Sequence, residues 1–188
     1  MSLDSIPIRE TWSAVETAVD MGLVKHIGVS NFGEQRLKKL VKNSVIKPEL
    51  LQVESHPYLQ QEKLLKFCKA NNILFTAYSP LGSSGHEEIL TSNNLSNLLK
   101  NKVIKDIADA HKATSAQILI SWALSRGVSV IPKSVNKDRI AQNLAASKII
   151  LTIEDCEKIS ELDVGVRFIS GKVWIYEDGP YTLDSLWK

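Results

Sequence analysis

The chain has 188 residues, 44% of them apolar and 23% charged, with 23 Lys+Arg against 21 Asp+Glu and a net charge of +2 with histidines neutral. This length suits one domain and a sizeable buried core, the apolar content argues against disorder, and so even a charge balance argues against a protein built for nucleic-acid backbones. No run reaches the roughly 18 apolar residues of a membrane helix, Met1 to Ser5 lack the pattern of a secretory signal, and two cysteines without metal spacing suit a reducing, cytoplasmic compartment.

In chain order, helix and strand textures alternate. Residues 6–21 read as a helix, with Pro7 in the first turn and Trp12, Val15 and Val19 at helical spacing. Residues 26–30 read as a strand, 34–42 as a helix burying Leu37, Leu40 and Val41, and 50–54 as a second strand leading to His56-Pro57-Tyr58. A helix over 61–71 turns Leu64, Leu65, Phe67 and Cys68 inward, and a third strand over 73–78 breaks at Ser79-Pro80-Leu81-Gly82. The polar stretch 83–101 has no period and reads as a long loop. Helices over 103–111 and 115–126 follow, the second being the most apolar of the chain, then a fourth strand over 128–132. Two more helices, 137–146 and 153–161, precede an aromatic-rich tail without period.

Short, nearly uncharged strands separated by helices imply βα units and a parallel sheet covered on its faces. An open doubly wound sheet and a βα barrel both remain possible on this pattern. Ser30-Asn31-Phe32-Gly33 follows the first strand where a dinucleotide fold would carry a Gly-rich turn, and no GxGxxG occurs anywhere.

Polar residues gather where each strand ends: Ser30-Asn31, Gln52 with Glu54, Tyr78-Ser79, and Lys133-Ser134. In a parallel βα protein those ends share one face, where sites are built. The 131–143 segment is the sharpest of these. Lys133, Ser134, Asn136 and Arg139 bring two cations and small polar groups to the start of a helix, a phosphate-binding combination, although a solvated basic turn reads equally well.

Four motifs resemble the aldo-keto reductases: Gly-Leu-Val-Lys-His-Ile-Gly-Val-Ser-Asn-Phe (22–32), Gln-Val-Glu-Ser-His-Pro-Tyr (52–58), Ala-Tyr-Ser-Pro-Leu-Gly-Ser (77–83) and Ile-Pro-Lys-Ser-Val (131–135). The resemblance covers about 6–165 and implies an α/β fold of the (β/α)8 TIM-barrel type, here only its C-terminal half, strands five to eight. That half would occupy 1–166, followed by a tail over 167–188. It also implies reduction of an aldehyde or ketone by NADP(H).

By the same resemblance, Ser30, Asn31 and Gln52 would hold the nicotinamide carboxamide, and Tyr78 would stack on the ring. Ser79, Leu81 and Ser83 would line the pyrophosphate. Lys133, Ser134, Asn136 and Arg139 would bind the 2′-phosphate, and Gln142 and Asn143 the adenine. Ser55 and Gln142 replace the Cys and Glu common in the family. Near Gly85 the chain lacks the Asp with which many members clasp the cofactor.

The catalytic Asp, Tyr, Lys and His of the family belong to the barrel's first half, so no catalytic residue is expected here and the isolated chain is expected to be inactive. His56 reads as structural, and His26, His86 and His111 as surface or helix-end residues. No metal site is visible. Trp174, Tyr176 and Tyr181 read equally as a substrate-pocket wall or a hydrophobic cap. The open strand edges of a half-barrel predict self-association or pairing with a complementary half. Two alternatives to a reductase half remain: a truncated relative that binds a nucleotide or protein without catalysis, and a fragment with no independent role.

Overall fold

The structure, a computed structural model of the chain, describes residues 6–82 and 87–187. Its four strands are β1 (Gly28–Ser30), β2 (Leu50–Glu54), β3 (Leu74–Tyr78) and β4 (Val128–Val130), in the sheet order β1-β2-β3-β4. β1 and β2 pair in parallel, Gly28 opposite Leu50 and Ser30 opposite Gln52. A helix lies in every crossover and the order never reverses. That is the winding of a βα barrel; a doubly wound sheet would show a switch point. Gly28 is required where it stands, because a Cβ there would meet the Leu50 carbonyl oxygen at 2.5 Å.

The chain divides into two compact units. The first comprises Met1–Val53, Glu62–Phe75 and Ser170–Lys188. It contains α1 (Ile8–Asp20), α2 (Glu34–Asn43) and α3 (Glu62–Ala70). Trp12 of α1 is 4% exposed and packs with Ile27 and Leu40, ringed by Val15, Val19, Val29, Phe32 and Ile46. Its indole N–H donates to the Ile46 carbonyl at 2.8 Å. Glu16, one turn further along α1, is also buried. Its Oε1 accepts the Val45 and Ile46 N–H groups at 2.8 and 3.0 Å, and its Oε2 pairs with Arg9 at 2.9 Å. The carboxylate thus satisfies the loop after α2, where two backbone donors would otherwise lack partners. α2 buries Leu37 and Leu40, and α3 buries Leu64, Leu65 and Cys68.

The second unit comprises Glu54–Gln61 and Thr76–Ile169. It contains α4 (Glu87–Ser92), α5 (Lys102–Ala110), α6 (Ser115–Ser125), α7 (Lys137–Ala145) and α8 (Ile153–Ser160). Residues Ile118, Leu119, Ile120, Ser121, Trp122 and Ala123 of α6 are all buried, so this helix is its centre. Capping boxes start α6 at Thr114 with Gln117 and α8 at Thr152 with Asp155.

Two stretches carry structure where the sequence pattern shows none. Within 83–101, expected to be a loop, the chain forms α4 and a 3-10 turn, Leu98–Lys100. Leu90 and Leu98 are buried there, and Asn97 and Asn101 cap successive turns by accepting the Leu99 and Val103 N–H groups. One apolar anchor per turn is too sparse to register as a period. The tail likewise forms a 3-10 turn, Lys172–Trp174, and a short helix α9 (Leu183–Leu186) capped by Thr182 and Ser185. Gly171 enters that turn at φ 81°, where a Cβ would collide with Leu186.

Candidate functional site

In the first unit, β1 and β2 bring Ser30, Asn31 and Gln52 together. Ser30 lies opposite Gln52, and the Asn31 N–H donates to the Gln52 carbonyl at 2.9 Å. Asn31 adopts φ 60°, a left-handed conformation that turns the chain sharply off the strand. Strain of this kind concentrates where a side chain must be aimed. Ser30 and Asn31 line a cleft of about 460 Å³ with Arg36, Trp174, Tyr176 and Tyr181. Trp174 and Tyr176 are 45% and 65% exposed. Arg36 donates to the Ser185 carbonyl at 3.0 Å, tying α2 to the tail segment of the same unit.

In the second unit, β3 ends at Tyr78, and Ser79 follows at φ 49°. The Gly82 N–H donates to the Ser79 carbonyl at 2.9 Å, closing a tight turn that carries Leu81. Gly82 sits against Leu98 and Phe168, at 3.3 and 3.5 Å from where a Cβ would stand. Ser83 and Gly85 lie outside the described residues. Tyr78 is half-buried; burial and then the Glu54 charge push its phenol above the ordinary value, opposed by the charge and hydrogen bond of Arg167.

The Ile131 N–H donates to the Ala77 carbonyl at 3.3 Å, so the segment leaving β4 starts beside the end of β3. Ser134 Oγ accepts the Asn136 N–H at 3.1 Å, and the Asn136 side chain caps α7 by accepting the Arg139 N–H at 3.0 Å. The cap commits the Asn136 carboxamide oxygen and leaves its nitrogen as the group to donate. Lys133, Arg139 and Gln142 are exposed on this turn and helix, and Asn143 is half-buried. One cation thus precedes the α7 N-terminus and another lies in its first turn, residue types suited to an anion.

Glu54 has no assigned role in the sequence reading, yet it is wholly buried and organises the second unit's site. Its Oε1 accepts His56 Nε2 at 3.0 Å and the Phe168 N–H at 2.6 Å. Its Oε2 accepts the Ile169 N–H at 3.1 Å and pairs with Arg167 at 3.5 Å. Burial pushes the carboxyl up, but His56 and the two backbone N–H groups outweigh it and hold the group below the usual carboxylate range. The available signal was a carboxylate closing an otherwise uncharged strand with no cation adjacent in sequence. His56 is structural in this setting: it is fully buried and its ring packs 4.7 Å from Phe168.

His111 ends α5 and meets Asp155 at 2.8 Å, and His26 is exposed and meets Glu49 at 2.6 Å; His86 lies outside the described residues. Among the described residues no group of three or more His, Cys, Asp or Glu could hold a metal ion, and no helix is long and apolar enough to cross a membrane.

Residues 3–164 match the Aldo/keto reductase family. The chain is 47% identical over 180 residues to an aldo/keto reductase of Synechocystis sp., covering 96% of this chain and 55% of that protein. It is 41% identical over 167 residues to the NAD(P)H-dependent D-xylose reductase I,II of Candida tropicalis, covering 88% and 52%. Among solved structures, MGS-M4, an aldo-keto reductase enzyme from a Medee basin deep-sea metagenome library, is similar at a TM-score of 0.74 and 39% identity, over 84% of this chain and 55% of that one. The chain thus spans about half the length of the relatives it matches. With its parallel βα winding and a family match running through all four strands, the chain belongs to the aldo/keto reductase family.

Proposed function

We propose that this chain is the cofactor-binding half of an NADPH-dependent reductase of aldehydes or ketones. The observation that carries the reading is the pair of exposed cations, Lys133 and Arg139, at the capped N-terminus of α7. A phosphate monoester suits that donor set: a point charge, a planar fork of N–H donors, and helix N–H groups. The coenzyme named for the Candida tropicalis relative, NAD(P)H, is of the same chemical class.

The residue roles follow from the chemistry of each group. Ser30, Asn31 and Gln52 supply the hydroxyl and carboxamide groups that orient a nicotinamide amide. Tyr78 offers a flat ring of low conformational entropy as a stacking surface. Ser79, Leu81 and Ser83 line the pyrophosphate, Lys133, Ser134, Asn136 and Arg139 hold the 2′-phosphate, and Gln142 and Asn143 meet the adenine. NADPH, when bound, supplies the hydride; the chain's contribution is binding and orientation. Catalytic groups for proton delivery to the carbonyl belong to a complementary half, so the 188-residue chain binds without turnover.

β1 and β4 stand at the two ends of the strand order, and edge strands favour pairing with a second copy or a complementary half. The test is titration of the purified chain with NADPH, followed by nicotinamide fluorescence, with and without a generic aldehyde. Saturable binding without oxidation supports the proposal. Absence of binding overturns the cofactor assignment, and aldehyde-dependent oxidation overturns the assignment of catalysis to another half.

A further inference from the structure

We propose that Glu54 is a positioning residue for the Tyr78 ring, acting through Arg167. The inference rests on the reading of Tyr78 as a nicotinamide-stacking surface, and all of its residues lie in the second unit.

Tyr78 is held at both ends. Its carbonyl accepts the Ser55 N–H at 3.3 Å, one residue beyond Glu54, and its phenol is hydrogen-bonded by the Arg167 side chain and by the backbone of Glu54 itself. The phenol oxygen of a tyrosine lies on the axis of its second side-chain torsion, so holding the backbone and that oxygen fixes where the ring stands, and its tilt about that axis is set by the groups packed on its faces. Arg167 is in turn placed by Glu54, directly at 3.5 Å and through the neighbouring Phe168 and Ile169 amides that the same carboxylate accepts at 2.6 and 3.1 Å. Phe168 adds a steric brace, its ring packed on His56 and its edge beside Gly82 of the turn after Tyr78.

The carboxylate's charge is essential to this device. Ionised, both oxygens accept from every donor around them. A glutamine of the same size must turn an NH2 group toward one of those donors, and a donor facing a donor in a buried site pushes the Arg167 segment away. Glu54 therefore sets the departure point of the tail and the position of the stacking ring together.

The test compares native chain, Glu54→Gln, Arg167→Lys and Tyr78→Phe for affinity toward NADPH and toward 2′,5′-ADP, which lacks the nicotinamide. Glu54→Gln and Arg167→Lys are expected to weaken NADPH about tenfold, the loss of one charge-assisted hydrogen bond, and to leave 2′,5′-ADP unchanged. In the Tyr78→Phe background, Glu54→Gln is expected to cause no further loss. Equal losses for both ligands, or an additive double variant, overturn the proposal. Chains labelled with 13C at the tyrosine phenol carbon separate this from the cofactor reading. If the native chain binds no NADPH, the cofactor reading fails, and a Tyr78 signal unmoved by Glu54→Gln then overturns the positioning role independently. A Tyr78 signal that shifts sustains the coupling.

Discussion

The Glu54 carboxylate accepts the Phe168 amide N–H at 2.6 Å, joining the end of β2 to the start of the tail. The buried Phe168 amide, the part-buried Ile169 amide and the buried His56 ring all bond to this one group, and Arg167 pairs with it, so removing it takes a partner from each. Glu54→Ala is expected to cost about 3–5 kcal/mol, the range for breaking a buried charged pair by deleting one partner. Urea unfolding of the native and variant chains measures it, and a loss below about 1 kcal/mol, the worth of an exposed pair, contradicts a buried anchor.

Acid should destabilise the chain through three carboxylates. Glu54, Glu16 and Asp155 are all held below their ordinary values, burial being outweighed by hydrogen bonds from His56, from the Ile46 and Val45 amides, and from His111 respectively. Because the folded forms bind protons less readily than the unfolded chain, their stabilisation is complete above the ordinary glutamate value of 4.5 and is lost as pH falls below it. Unfolding midpoints measured from neutral pH to about pH 3 should fall steeply, and Glu54→Gln should flatten the fall. Parallel curves for the two chains exclude Glu54 as a contributor.

Cys68 predicts an opposite, alkaline effect. Burial alone pushes its thiol from 9.0 up to about 11, so it is protonated in the fold and its stabilisation is lost as pH rises across that interval. Cys156 of α8 is only partly buried. A thiol reagent at pH 8 should therefore modify one cysteine quickly and the second only after denaturant is added, since the thiolate is the reacting form. Two fast thiols in the native chain refute the buried assignment.

The first unit leans on Trp12. Trp12→Phe keeps a ring but strands the Ile46 carbonyl, costing about 1–2 kcal/mol, whereas Trp12→Ala also opens a cavity and costs about 3–5 kcal/mol. Urea titrations followed by circular dichroism should give that order. Near-equal losses imply that the indole N–H, and not the ring, anchors α1.

Much of the fold is legible in the sequence because its strands are short uncharged runs and its helices bury regular faces, as Leu37 and Leu40 of α2 do. The pairing order of β1 to β4 follows from the family motifs; period alone leaves barrel and open sheet unresolved. α4 escapes detection because a single buried residue, Leu90, anchors six positions. Strand-end residues such as Ser30 and Gln52 are visible as polar breaks in apolar runs. Glu54 is harder, because its partners Arg167, Phe168 and Ile169 lie more than a hundred positions away and share no local pattern with it. A buried ion pair is a property of the fold's long-range contacts, and only its lone unpaired charge shows in the strand itself.

The turn after β4 should decide which coenzyme binds. Lys133 and Arg139 are exposed, so each charge is strongly hydrated in the free chain and its attraction to a phosphate is screened by salt. Lys133 precedes the α7 N-terminus and Arg139 stands in its first turn, where its N–H donates to the Asn136 cap, so on the proposed reading both face one small anion. Lys133→Met or Arg139→Met is expected to weaken NADPH about tenfold, the worth of one charge-assisted contact, while leaving NADH within about twofold. The double variant should also show a shallower dependence of NADPH affinity on ionic strength, because fewer charges face the ligand. Titrations with both coenzymes at low and high salt read both effects. Losses of equal size for NADH and NADPH mean that these side chains support the turn and do not recognise the 2′-phosphate.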